Sequence, residues 1–154
     1  MKNKLAVLAL GLWGITVVVL ATMFVRGNTA PATDGRTAVI LRDSERDLVL
    51  TEMRGMLMAV RGVAEGLAGN QRAEIAQAAR DGGGGAMRDV PVSLMAKLPL
   101  EFKEMGMAMH AGFDALASAA EQGEATDKLL GRLTGQLNQC VACHQSFRIN
   151  PERQ

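Results

Sequence analysis

Residues 126–148 read TDKLLGRLTGQLNQCVACHQSFR. Leu130, Leu133, Leu137, Cys140, His144 and Phe147 recur at intervals of three and four, the period of one helix face. Thr126 suits the N-cap of such a helix, and Asn150-Pro151 would end it. The spacing predicts a helix from about Thr126 through Arg148 whose inward stripe carries Cys140 and His144. Within it, Cys140-Val141-Ala142-Cys143-His144 has the C-x-x-C-H form of a c-type haem attachment site. Thiols one turn apart lie on one helix face and can reach the two vinyl groups on one porphyrin edge. The adjoining imidazole then becomes an iron ligand.

The same cysteine spacing also serves zinc sites and dithiol redox centres. A structural zinc site needs a second ligand pair, and apart from His144 the chain offers only His110. A thioredoxin-like dithiol follows a strand in a βαβ unit, and no period-two alternation precedes this motif. Haem attachment is the reading that uses all three side chains.

Leu5 to Val25 contains no charged residue and is flanked by Lys2, Lys4 and Arg26. A bilayer core needs about 20 apolar residues, and the apolar part of a cleaved signal peptide is usually about 7–15 residues. Residues 1–26 therefore read as a retained signal anchor or transmembrane segment, with the lysines in the cytoplasm and the remainder outside. Ala30-Pro31-Ala32 resembles a small-residue cleavage site, so a soluble periplasmic form remains the alternative. Haem is joined to c-type cytochromes on the outer side of the bacterial plasma membrane, which matches that orientation. Residues 27–40, polar and broken by Pro31 and Gly35, read as a flexible tether, spanning about 3.3 Å per residue if extended. The remainder, residues 41–154, amounts to one domain with a single core.

The chain has two cysteines, no tyrosine and ten methionines, and its formal net charge is +1. Acidic and basic residues are interspersed, which excludes a basic patch for nucleic acid. Few β-branched runs follow residue 41, an all-α profile. A first helix is predicted from about Ser44 to Leu67, with Val49, Met53, Met56, Val60, Val63 and Leu67 on its core stripe. A second, from about Ala73 to Arg80, stops at the glycine run 82–85. A third begins near Pro99, buries Phe102, Met105, Met109, Phe113, Leu116 and Ala120, and closes at Gln122-Gly123. Four helices with short loops and an inward cofactor face imply an antiparallel four-helix bundle preceded by the N-terminal membrane helix.

Over about residues 46–148 the chain resembles the cytochrome c-prime family and its low-spin His/Met relatives, which carry C-x-x-C-H near the end of the last helix. Its most specific part is Cys140-Val141-Ala142-Cys143-His144-Gln145-Ser146-Phe147-Arg148, with an aromatic and a basic residue after the histidine; Phe113-Asp114-Ala115-Leu116 is similar more weakly. The short second helix, the glycine run and the membrane segment depart from the family pattern. The resemblance implies one covalent haem c with His144 as proximal iron ligand, Phe147 packed against the ring, and Arg148 at a propionate or the proximal pocket. It also implies that the sixth iron position faces the first helix. With Arg46-Asp47-Leu48-Val49-Leu50 laid on the family pattern, Leu50 lines an open distal site and Arg46 reaches a propionate. With the register moved by three, Met53 becomes the distal ligand, and Met56 is a further candidate. A bis-histidine iron would require His110, which its spacing from Phe113 puts at the edge of the core or in solvent. Most methionines, Met105, Met107 and Met109 among them, read as packing or surface.

These readings converge on a membrane-anchored periplasmic monohaem c-type cytochrome that passes single electrons between redox partner proteins. The alternative is a five-coordinate protein that binds nitric oxide or another small gas. No acid–base constellation adjoins the motif, so a carrier is expected rather than an enzyme. The resemblance also admits a homodimer.

Overall fold

The computed structural model describes residues 2–85 and 90–152. Among them the chain is mostly helical, with six helices: α1 (Lys2–Arg26), α2 (Asp43–Ala68), α3 (Arg72–Asp81), α4 (Val92–Lys97), α5 (Leu100–Glu121) and α6 (Thr126–Ser146). Three short strands accompany them: β1 (Thr29–Pro31), β2 (Thr37–Leu41) and β3 (Phe147–Pro151). The all-α class implied by composition fits this content, with the small sheet as an addition.

Helix α1 is apolar and long enough to cross a membrane, and none of its spanning window from Lys4 to Arg26 is buried against the rest of the chain. Such a surface belongs in lipid or in a signal sequence, not in water. Helices α2, α3, α5 and α6 enclose the larger of two cores. It contains Ala59, Val63, Ile75, Ala79, Phe113, Leu116, Leu129 and Leu133. Gly82, at the C-cap of α3, lets the chain pass over Phe113, because a Cβ there would lie 3.0 Å from the ring. The glycine run thus serves close packing as well as ending the helix.

The segment expected to be a flexible tether is instead folded. β1 and β2 form an antiparallel hairpin, and β2 pairs in parallel with β3 from Thr37↔Phe147 to Leu41↔Pro151. Thr37-Ala38-Val39-Ile40-Leu41 is a short β-branched run, and Val39 and Leu41 are fully buried in the second core with Leu94, Leu98, Phe102 and Phe147. A tether cannot sequester such side chains, whereas a strand partnered on both edges can.

The same pairing corrects the end of the last helix. α6 stops at Ser146, so Phe147 and Arg148 belong to β3. Of its predicted inward stripe, Leu133 is buried and Leu137, Cys140 and His144 border a cavity, whereas Leu130 is 54% exposed and its place in the core is taken by Leu129. Spacings of three and four admit either leucine, and packing with the neighbouring helices selects Leu129. Residues 92–97, which carried no helix expectation between the two prolines, form the short helix α4.

Glu45, in the first turn of α2, ties that helix start to α4. Its carboxylate accepts from the Arg42 backbone N–H at 3.0 Å, the Arg42 guanidinium at 2.6 Å and Lys97 Nζ at 2.8 Å. The Arg42 hydrogen bond chiefly holds the Glu45 carboxyl down, from an ordinary 4.5 to about 2, against the opposing effect of burial. A depressed carboxylate stabilises the fold above its unfolded pKa, and that contribution is lost as pH falls. The expected result is that stability drops between about pH 4.5 and about 2, and that Glu45→Gln, weaker at neutral pH, shows a flatter acid limb in unfolding midpoints. An identical acid limb in the variant would remove Glu45 from this role.

Candidate functional site

The two cores meet at a cavity of about 540 Å³, within the roughly 300–1,000 Å³ typical of small-molecule and cofactor sites. One wall is α6, through Leu137, Cys140, Cys143 and His144; the facing wall is α2, through Val49, Leu50, Met53, Met56 and Val60. Helix α5 contributes Phe102, Lys103, Met105, Met109 and His110, and α4 with its flanks adds Leu94, Met95 and Leu98. The lining is predominantly apolar, so charge placed inside it would be felt strongly.

The fold brings the sequence-predicted motif together. Cys140 is half-buried and packs on the larger core, as Met56 does, and Cys143 packs on the second core, as Val49, Met53 and Met105 do. His144 is exposed overall yet borders the cavity. Burial pushes both thiols up; for Cys143 the neighbouring Cys140 and Glu101 add to it. Reactive dithiols have the opposite shift. Among the described residues, no three or more His, Cys, Asp or Glu side chains converge as a metal-ion site, which leaves the zinc reading without a ligand set.

Leu50 and Met53 are both half-buried on the cavity wall opposite the motif. Arg46, one turn before Leu50, lies outside the lining; its Nε is buried without a hydrogen-bond partner, and Nη1 is 3.9 Å from Asp47. A buried guanidinium nitrogen without an acceptor is costly, and an anionic group on a bound cofactor would relieve it. Phe147 is buried but packs edge-to-face on Phe102, with centroids 5.4 Å apart, and so touches the cavity wall from behind. Arg148 does not line the cavity. Its Nη1 donates to Asp34 at 3.0 Å and its Nε to Asn150 at 3.0 Å.

Two residues have roles that the sequence reading did not assign. Of the two places expected for it, His110 takes the one at the core, 5% exposed on the cavity wall, and its Nδ1 lies 2.8 Å from the Gly82 carbonyl oxygen. A carbonyl only accepts, so Nδ1 carries the proton, and Nε2 is left 3.8 Å from Glu52 beside the cavity. Lys103 is 4% exposed, interrupting the apolar face of α5. Its ammonium donates to Phe24 O at 2.9 Å and sits 3.4 Å above the Phe24 ring. Desolvation lowers its pKa, while a helix C-terminus and an aromatic face both favour the cation. A charged residue in an otherwise apolar stripe was the available signal for Lys103; the burial of His110 depends on a carbonyl 28 residues away.

The donor set fits a haem c. Two thiols and an imidazole from one helix border an apolar cavity, with thioether and aliphatic side chains of α2 on its wall and, one turn before Leu50, a buried Arg46 nitrogen without a partner. Comparisons with protein-family models, curated proteins and solved structures found no match to this chain.

Proposed function

We propose that this chain is a membrane-anchored, periplasmic monohaem c-type cytochrome of the antiparallel four-helix type, acting as a single-electron carrier between redox partner proteins. The observation that carries the reading is one cavity bordered by Cys140, Cys143 and His144 on α6 and by Leu50, Met53 and Met56 on α2. Cys140 and Cys143 would hold the ring by two thioethers, and His144 would supply the imidazole nitrogen for its iron. When bound, the haem supplies a one-electron couple. The chain's part is to orient the ring, exclude water with Leu94, Leu98, Phe102 and the surrounding methionines, and set the axial field. Arg46 offers its unpartnered Nε to a propionate.

Met53 would be the distal ligand in this reading, because from α2 it lines the same cavity that His144 borders from α6. Thioether ligation raises a haem potential, as suits electron transfer. Leu50 on the same wall supports the second reading, a five-coordinate site open to nitric oxide or another small gas. Optical spectra of the purified ferric and ferrous protein, with carbon monoxide added to the ferrous form, separate the two. A low-spin spectrum with a methionine-to-iron charge-transfer band and no response to the gas is expected. An immediate shift on adding the gas would transfer the assignment to the Leu50-lined open site.

A further inference from the structure

We infer that the hairpin of residues 27–41 is a rigid joint that presents the pocket to the bilayer at a fixed orientation, and that Arg36 within it is a positioning residue for His144. The second half rests on the haem reading above, since it concerns what His144 holds; the first half stands on the fold alone.

No slack separates the anchor from the domain. Gly27 N–H donates to Met23 O at 2.8 Å, and its φ of +62° turns the chain out of α1. A Cβ on Gly27 would lie 2.5 Å from Pro99 N and 2.7 Å from the Leu98 carbonyl carbon, so only glycine passes there. The next residue, Asn28, donates its backbone N–H to Lys97 O at 2.7 Å and its side-chain amide to Ile40 O at 2.9 Å. In return, Ile40 N–H donates to Asn28 O at 2.8 Å. One turn back in α1, Phe24 is gripped by Lys103. Leu98 and Lys103 are themselves cavity-lining residues. The wall of the pocket is therefore the surface against which the anchor docks.

The far end of the hairpin grips the motif helix. Arg36 Nη1 donates to His144 O at 3.1 Å and Phe147 O at 3.4 Å, at the C-terminal end of α6 where a cation is favoured. Asp34 fixes that guanidinium: its Oδ2 accepts from Arg36 Nη2 at 2.7 Å and Nε at 3.0 Å, and its Oδ1 accepts from the Arg36 backbone N–H at 3.2 Å. Asp34 also receives Arg148, so both sides of the β2–β3 pairing share one carboxylate. The backbone of His144 is thus held by residues continuous with the membrane helix. A positive charge hydrogen-bonded to that backbone favours the more electron-rich state of whatever His144 coordinates.

The test uses the full chain reconstituted in oriented lipid multilayers and the ferric haem signal in electron paramagnetic resonance. The expected result is a strong dependence of signal amplitude on the tilt of the multilayer, lost when a short Gly-Ser insertion follows Gly27, with the frozen-solution spectrum unchanged. A wild-type signal independent of tilt would overturn the joint. Arg36→Gln should lower the midpoint potential and shift the ferric g values, with Arg36→Lys restoring most of both. An unaltered potential and unaltered g values in Arg36→Gln would overturn the positioning role. If the purified chain carries no haem, the proposed function fails, and the joint is read separately by limited proteolysis in vesicles. Residues 27–41 should then stay uncut, and cleavage there would overturn it.

Discussion

Replacing Cys140 and Cys143 together with serine is expected to leave no haem covalently attached to the chain, so that acid–acetone extraction should strip all pigment from the denatured protein. Each sulfur sits on the cavity-facing side of α6, one turn from the other, and each is half-buried in a different core. A single replacement should retain one thioether and hence pigment on the chain, whereas His144→Ala should keep covalent attachment and lose the native axial field. Pigment that survives extraction in the double variant would refute thioether attachment at this motif. The effect is all-or-none because these are the chain's only two cysteines. It is also separable from folding, since serine is nearly isosteric and neither thiol donates a hydrogen bond to a buried partner that the fold requires.

Phe113→Ala should cost about 3–5 kcal/mol, the usual range for emptying a buried aromatic site. The ring is fully buried where α2, α3 and α5 converge, against Gly82 and near Ala59. Gly82 and Ala59, which meet at the ring, have little side chain to move into the void. Against a typical total stability of about 5–15 kcal/mol, that loss is a large fraction. Guanidinium unfolding followed by far-ultraviolet circular dichroism should show it as a lower midpoint with an unchanged slope. A change below about 1 kcal/mol, the ordinary cost of an unremarkable substitution, would mean that the core is not organised around this ring.

What the sequence made legible was local. Pro99 and Gln122-Gly123 bracket α5 because a proline suits a helix start and a glycine with positive φ suits its end, and the observed helix runs Leu100–Glu121. The cysteines and histidine of the motif are neighbours in sequence, so their convergence on one wall needed nothing from the rest of the chain. Elements whose stability is non-local were not legible. Thr37–Leu41 is too short to announce itself, and its partner strand begins at Phe147, far along the chain, so the pairing that makes it a strand lies outside any local window. Only the first turn of α6 was misread, Leu129 being buried in place of Leu130, because the two satisfy the same spacing and packing with the neighbouring helices decides between them. For a related reason the place of His110 was left open between core edge and solvent, and Lys103 was passed over. Each is held in the interior by a backbone carbonyl supplied from another element, Gly82 O in one case and Phe24 O in the other.

A helix apolar enough to span a membrane leads into a folded hairpin, and the domain beyond it holds the cavity that the motif borders. Burial that raises the thiol pKa values, together with an apolar lining, suits a covalently held macrocycle better than a dithiol that cycles between oxidation states. The carrier reading then assigns the chain the tasks of holding and tuning, leaving the chemistry to the cofactor.

The most direct measurement is the intact mass of the chain purified from membranes, followed by the mass of the fragment containing residues 140–144. The account predicts a chain heavier by one haem, with the whole increment on that fragment and residues 1–26 still present. A chain of unmodified mass, with both thiols free to react with alkylating reagent after denaturation, would contradict it.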